Sequence, residues 1–197
     1  MLPEPHRSFA ALDPVKAAAI QLINRLESES KSMGKQKKFS IREIRDQDIS
    51  WIQNLMIEQW GDELVVVHGD IYIPHELPGF IAIKPSGELI GLVTYVIGNE
   101  DCEIVTLNSI DKVSGVGSAL LSEVINTAEG ADCKRIHLTT TNDNIKALEF
   151  YKKRGFVLVA IHEGAVSKAR KIKPSIPLVS PDGIPIKDEI ELELSLS

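Results

Sequence analysis

Two short stretches in the middle of this chain hold residue types that can do chemistry together. The first, Lys112-Val113-Ser114-Gly115-Val116-Gly117, follows a strand-like run and opens a helix-like one. Glycines at 115 and 117 let the backbone bend tightly and let a bulky ligand come within hydrogen-bonding distance. The N–H groups from Val113 to Ser118 would then point outward at a helix start, which carries about half a positive charge and several unpaired donors. Such an end suits a pyrophosphate, and Lys112 adds a mobile cation. The plain alternative is a glycine-containing turn with no ligand. Two familiar phosphate motifs are excluded. Leu120 stands where a dinucleotide fingerprint needs its third glycine, and no Gly-Lys-Ser/Thr follows to make a P-loop.

The second stretch runs from Asn142 through Asp143, Asn144 and Ala147 to Tyr151, and closes with Gly155-Phe156. Asn144 sits at a helix start, where Asn142 and Asp143 can also cap. Ala147 and Tyr151 are four apart and share a helix face, with Asn144 about one turn earlier. A small residue at 147 leaves room for a slender chain such as pantetheine. A phenol at 151 can protonate a departing thiolate; the alternative is a core aromatic with its hydroxyl satisfied. Gly155 ends the helix as a C-terminal glycine should. In this order, and about a strand apart, the two stretches imply an acyl group moved from a thioester to an acceptor.

The elements that must position these residues alternate from Phe39 onward. Phe39 to Ile44 is a half-buried strand by its alternation. Asp46 and Asp48 can cap a helix carrying Ile49, Ile52, Leu55 and Met56. Leu64–Val67 and Ile71–Ile73 read as extended, and Pro74 and Pro78 forbid a long helix there. Phe80–Ile83 and Leu89–Ile97 form a hairpin across Pro85-Ser86-Gly87, and Glu103–Ile110 is a further strand. A helix over Gly115–Ala128 puts Val116, Ala119, Leu120, Val124 and Ala128 on its inner face. A strand at Ile136–Thr140, a helix at Asn144–Arg154 and a strand at Phe156–His162 follow. Residues 172–187 hold four prolines and read as a structured loop, either a stiff lid over a site or a connection between strands. Glu189–Leu196 closes the chain as a strand. Residues 1–37 differ: Asp13-Pro14 starts a helix with Val15, Ala18, Ala19, Leu22, Ile23 and Leu26 in an apolar stripe, followed by a polar linker. That helix packs on its own domain or makes a homodimer contact.

Composition narrows the class. A length of 197 residues with 43% hydrophobic and 25% charged content suits one globular domain with an appendage. A net charge of -6 argues against a general nucleic-acid binder. No apolar run approaches the roughly 20 residues that span a bilayer, and the start of the chain lacks a signal or transit layout. Cys102 and Cys133 form no C-x-x-C pair, which fits a reduced, cytoplasmic chain without a structural zinc.

The two stretches together resemble the GNAT superfamily of coenzyme A-dependent N-acetyltransferases, whose signature is Gln/Arg-x-x-Gly-x-Gly/Ala before a helix. Lys112 takes the first position, keeping the charge and losing the forked donor geometry. The later element matches at Asn144, Ala147, Tyr151, Gly155 and Phe156, and the likeness covers about residues 38–163. The run His162-Glu163-Gly164-Ala165-Val166 with the following proline segments looks like a bacterial subgroup of unassigned substrate. The resemblance implies an α/β (α+β) GNAT fold, a mixed six- to seven-stranded splayed sheet with helices on both faces, over residues 38–197. It implies acetyl-coenzyme A as cosubstrate, lying in a gap after the strand at 103–110 with its pantetheine paired to the backbone of Leu107, Asn108 and Ser109. Lys112, Val113, Ser114, Gly115, Val116, Gly117, Ser118, Asn142, Asn144, Ala147 and Tyr151 would complete that binding site.

Under this resemblance both substrates bind together and an amine attacks directly, positioning supplying at best about 7–11 kcal/mol. An alkylamine of pKa near roughly 10 must first lose a proton. Glu103 is the first candidate base, with Glu58, His68 and His162 behind it, and Tyr151 is the acid. Strand alternation would put Glu103 on the face of Val105 and Leu107. His137 and the other histidines are surface or packing residues by this reading, and none joins a metal-ligand cluster. Asp62, Glu63, Asp70 and Glu76 would make one wall acidic, favouring a cationic acceptor. The expected function is acetylation of a small-molecule primary amine. Acetylation of a protein N-terminus or lysine, and a non-catalytic coenzyme A-binding regulatory module, are the alternatives.

Overall fold

The computed structural model describes residues 38–110 and 115–196. The helix and linker expected over 1–37, and Lys112, Val113 and Ser114 of the first motif, lie outside the described residues.

Nine strands and four α-helices make up the described part. They are β1 (Ser40–Glu43), α1 (Ile49–Trp60), β2 (Val65–Val67), β3 (Asp70–Tyr72), β4 (Gly79–Ile83), β5 (Leu89–Ile97), β6 (Asp101–Ser109), α2 (Val116–Gly130), β7 (Arg135–Thr141), α3 (Ile145–Lys152), β8 (Val157–His162), α4 (Ala165–Ala169) and β9 (Glu189–Ser195). Seven strands form one sheet in the order β1-β4-β5-β6-β7-β9-β8, and β2 and β3 pair as a separate hairpin. All neighbours in the large sheet are antiparallel except β6 and β7. The parallel pair needs a crossover, which α2 supplies. The expected mixed sheet of six to seven strands is therefore observed, with seven strands.

Two apolar layers cover the sheet. Cys102, Ile104, Ile136, Leu138 and Leu192 pack under α2 through Val116, Leu120, Leu121, Val124 and Ala128, with Tyr151 of α3 and Phe156 beside them. Ile81, Leu92 and Val105 pack the other way, against Ile52, Leu55 and Met56 of α1 and Val65 and Val67 of β2. Helices thus lie on both faces. Gly91 lets α2 come close to β5: a Cβ there would stand 2.6 Å from Val116 Cγ1 and 3.0 Å from Asn108 O.

Some local expectations change. Asp48 precedes α1 but does not cap that helix with its side chain. Its carboxylate instead takes a forked pair of bonds from Arg42 at 2.6 and 2.8 Å and one from the Arg45 N–H, which ties β1 to the start of α1. Arg42 holds this carboxyl below the usual carboxylate range, mainly through the hydrogen bond. The one-and-a-half-turn helix α4 was hidden between two turn signals. The 172–187 segment is a loop, as its prolines indicate, with a single bridge between Val179 and Pro185.

Candidate active site

Strand β6 is where the site begins. Its ladder with β7 covers only Asp101–Ile104 against Arg135–Leu138. Beyond Ile104 the two strands part, and residues 105–109 have no β7 neighbour. On the other side the register with β5 slips between Thr94 and Tyr95, leaving Val105 unopposed as a bulge. The extra residue reverses which side chains face which layer. Val105 packs with α1, whereas Leu107 packs on the α2 layer. The expectation that Glu103, Val105 and Leu107 share one face is corrected by this one residue: Glu103 faces the α1 and hairpin side, and Leu107 does not.

The splayed segment carries an unfilled valence. Asn108 Oδ1 is buried and has no hydrogen-bond partner among the described residues, and Asp143 Oδ1, in the turn after β7, is in the same state. Buried polar atoms are nearly always paired, so two orphans flanking one gap fit a bound ligand there. Across the gap, Gly115 N-caps α2 in the left-handed region at φ +96 with nothing near its missing side chain. At Gly117 a Cβ would meet the Phe150 ring at 3.3 Å, so its bareness also serves α2–α3 packing. Val116 is buried in the core, leaving its backbone to serve a ligand. The Ser118 hydroxyl accepts from Arg154, which also stacks over Phe150.

On α3, Asn144 caps the helix through its own side chain, accepting from the Ala147 N–H at 3.2 Å. Asn142 does not cap. Its amide donates to Pro185 O and accepts from the N–H groups of Lys187 and Asp188, and so it fastens the proline loop to the end of β7. Arg170 donates to the carbonyls of Ile176, Pro177 and Ile186, and the buried Lys173 donates to Leu64 O at 2.7 Å. A segment sewn down at so many points is held in place along its length. Tyr151 lies 6% exposed between Phe150 and Phe156. Its hydroxyl bonds to no described residue. Burial pushes the phenol well above the ordinary tyrosine range, so it holds its proton at any neutral pH.

Glu103 is paired with His137 one residue before the strands separate. It accepts a 2.8 Å hydrogen bond from Tyr72 Oη, a residue sequence reasoning passed over. Burial and the Glu103 carboxylate raise the Tyr72 phenol, so it remains a donor. Glu58 is exposed near the end of α1. The expected acidic wall is partly spent inside the fold: Glu63 accepts from Gln53, and Asp62 from the Leu64 N–H. Carboxylates gather elsewhere, on β9. Alternation turns Ile190 and Leu192 inward and sets Glu189 and Glu191 on the opposite face. Glu189 bonds His68 and Glu191 bonds His162, each at 3.0 Å. The sequence reading left the histidines scattered; the fold draws these two together. Burial raises both thiols, Cys102 to about 12, so neither is an activated nucleophile.

The geometry, a sheet that opens after its parallel pair beside a glycine-capped helix, defines a class of acyl-transfer protein. The family model "Acetyltransferase (GNAT) family" matches residues 39–156, and the chain belongs to that family. It is 45% identical to the uncharacterized protein YdhI of Bacillus subtilis over 139 residues, 71% of this chain and 87% of that protein. Among solved structures it is similar to a GNAT family acetyltransferase from Elizabethkingia anophelis with acetyl-coenzyme A bound, at 20% identity and TM-score 0.59, covering 82% of this chain and all of that one. A Bacillus subtilis acetyltransferase in complex with coenzyme A matches at 18% identity and TM-score 0.57, over 81% of this chain and 99% of the other. Acetyl-coenzyme A-dependent acetyl transfer is what this family's fold generally serves. Among the described residues no helix is long and apolar enough to cross a membrane.

Proposed function

We propose that the chain is an N-acetyltransferase that moves the acetyl group of acetyl-coenzyme A to a primary amine of a small molecule in a ternary complex. The observation that carries this reading is the parting of β6 from β7 after Ile104, with orphaned oxygens on both flanks. The similar structures that hold acetyl-coenzyme A and coenzyme A support the choice of donor. Residues 38–197 are the catalytic domain in this reading and 1–37 an extension, and two unpaired thiols suit a cytoplasmic setting.

Bound acetyl-coenzyme A supplies an activated thioester carbonyl. The backbone of Leu107, Asn108 and Ser109 lacks a strand neighbour on the β7 side and offers N–H and C=O groups to its pantetheine arm. Gly115 to Ser118, with Lys112, Val113 and Ser114 before them, receive the pyrophosphate at the helix start. Asn144 and Ala147 line the same side. Tyr151 approaches the gap from the α2 layer and Glu103 from the opposite one. The gap joins the two faces, so donor and acceptor can enter from different sides and meet. Glu103, held by Tyr72, takes the amine proton directly or through water, and Tyr151 returns a proton to the leaving sulfur. Glu103 and the β9 carboxylates make the acceptor face acidic, which favours a cationic amine.

Acetyl-coenzyme A at 100 times its Kd should stabilise the fold by about 2.7 kcal/mol in a thermal shift. Absence of any shift at high ligand refutes the donor half. A screen of amines with detection of released thiol then identifies the acceptor class. Turnover confined to peptide N-termini or lysines would replace the small-molecule assignment.

A further inference from the structure

Three residues remote in sequence meet on the acceptor face of the sheet. His68 comes from the β2–β3 turn, His162 from the end of β8 and Glu191 from β9. Their ligand-type atoms, one ring nitrogen from each histidine and one carboxylate oxygen, all lie within 4.8 Å of one another. The two rings stand edge to face with centroids 4.2 Å apart, and His162 Nε2 is 3.0 Å from Glu191 Oε2.

The surroundings of His68 prepare it further. Glu189, only 5% exposed, accepts from both Nδ1 and the backbone N–H of His68, at 3.0 and 3.2 Å. A carboxylate on Nδ1 fixes the tautomer and leaves the Nε2 lone pair as the available donor. That Nε2 lies 3.0 Å from Thr139 Oγ1, whose hydroxyl proton satisfies it and can swing away. The backbone at His68 sits at φ +53, a left-handed conformation a non-glycine residue keeps only where its surroundings impose it. Acetyl transfer as proposed above draws on the charge of the β9 carboxylates but gives neither histidine a role.

We infer that His68, His162 and Glu191 form a binding site for a divalent transition ion of the zinc class, with Glu189 as the positioning carboxylate behind His68. Two imidazoles and one carboxylate form a borderline-soft set that suits zinc, cobalt or nickel better than magnesium or calcium. Three protein ligands leave a fourth position for water or a ligand atom. A cavity of about 350 Å³ adjoins the cluster, lined by His68, Gly69, His162, Glu163, Ala165 and Lys168. Lys168 is a cation on that rim; Glu163, Glu189 and Glu191 outweigh it and favour a dication. His68 and His162 are half-exposed, so an ion has a path in.

The test is calorimetric titration of the chelator-treated full chain with zinc sulfate, with a parallel cobalt(II) titration read by visible absorption. One ion per chain and an intense tetrahedral cobalt band are expected. His68→Ala and His162→Ala should each weaken zinc at least about 100-fold, and Glu189→Gln by about 10–100-fold, as loss of a positioning partner does. His75→Ala should leave binding unchanged. The metal-free melting temperature of each variant separates lost ligation from lost fold, and His68→Gln or His162→Gln replaces the alanine variant at the same position if that one melts early. No zinc uptake by the native chain, or unchanged affinity in a folded His68 or His162 variant, overturns the site. The acetyl-coenzyme A thermal shift is read separately, so either proposal can fail without the other.

Discussion

Tyr151→Phe separates the chemical role of this residue from its structural one. The ring makes edge contacts with Phe150 and Phe156, at 5.1 and 5.2 Å between centroids, and phenylalanine keeps both. The hydroxyl has no hydrogen bond to a described residue, so its removal deletes no contact with those residues and relieves the desolvation that raises the phenol. A fully buried unpaired hydroxyl costs on the order of 1–3 kcal/mol; Tyr151 Oη is not among the fully buried unpaired atoms of the described residues, so relief near the low end is expected. In a domain of this size about 1 kcal/mol shifts the melting temperature by roughly 2–4 °C. The variant should therefore melt at or slightly above the native temperature. Its turnover should fall about 10²–10⁴-fold, the usual contribution of a positioned proton donor. Thiol release from acetyl-coenzyme A with an acceptor found by screening measures the rate, and scanning calorimetry measures the melt. Unchanged turnover refutes the acid role. A melt lowered by several degrees refutes the claim that the hydroxyl is structurally idle.

Further outcomes follow from other sites. All three tyrosines, Tyr72, Tyr95 and Tyr151, are raised above about pH 10, first by burial. The unfolded chain then ionises before the folded one, so stability should fall as pH rises past about 10. Near-ultraviolet titration should show tyrosinate only as the fold is lost; a folded protein titrating three phenols near pH 10 contradicts this. Asp48→Asn should cost about 2 kcal/mol in urea unfolding, because it breaks a charged, forked bond at a buried carboxylate. The depressed Asp48 carboxyl also means that this stability is present above about pH 4 and lost as pH falls through the folded value. Gly91→Ala should destabilise by about 1–3 kcal/mol, since its methyl would strike Val116 and the Asn108 carbonyl; no change would mean α2 can shift freely. Glu103→Gln should lower kcat about 10²-fold or more at neutral pH, with the deficit shrinking toward the amine's own pKa near roughly 10. A deficit constant with pH would argue against a base.

The elements that carry the two motifs were legible because their information is local. Gly115 begins a helix, and Asn144, Ala147 and Tyr151 fall on one face of another, so spacing along the chain becomes spacing in the molecule. The bulge at Val105 was not legible: a single unopposed residue leaves no mark in the hydrophobic pattern, yet it decides which way Glu103 and Leu107 face. The packing of Gly117 against Phe150 was not legible either, because a bare Cα does not announce what lies beside it. The cluster of histidines and β9 glutamates was hidden for a different reason. His68 and Glu189 are 121 residues apart, and their meeting depends on β9 entering between β7 and β8. The glutamates on β9 could have been found by alternation against Ile190 and Leu192, but their histidine partners could not.

That entry of β9 has a consequence for how the chain reaches its shape. Strands β7 and β8 are made first, yet they must stay one strand's width apart until β9 is available to pair with both. Direct pairing of β7 with β8 would close the sheet early and shut the later strand out. Until then β8 presents Val157, Leu158, Val159 and Ile161, all still exposed in the finished fold, beside an unfilled slot. A chain waiting in this state offers an open template to any extended segment of another molecule. The clamp of Asn142 on Pro185, Lys187 and Asp188 sits immediately ahead of β9 and feeds it into register. The order of synthesis therefore gives the proline loop a part in assembly as well as in the finished fold.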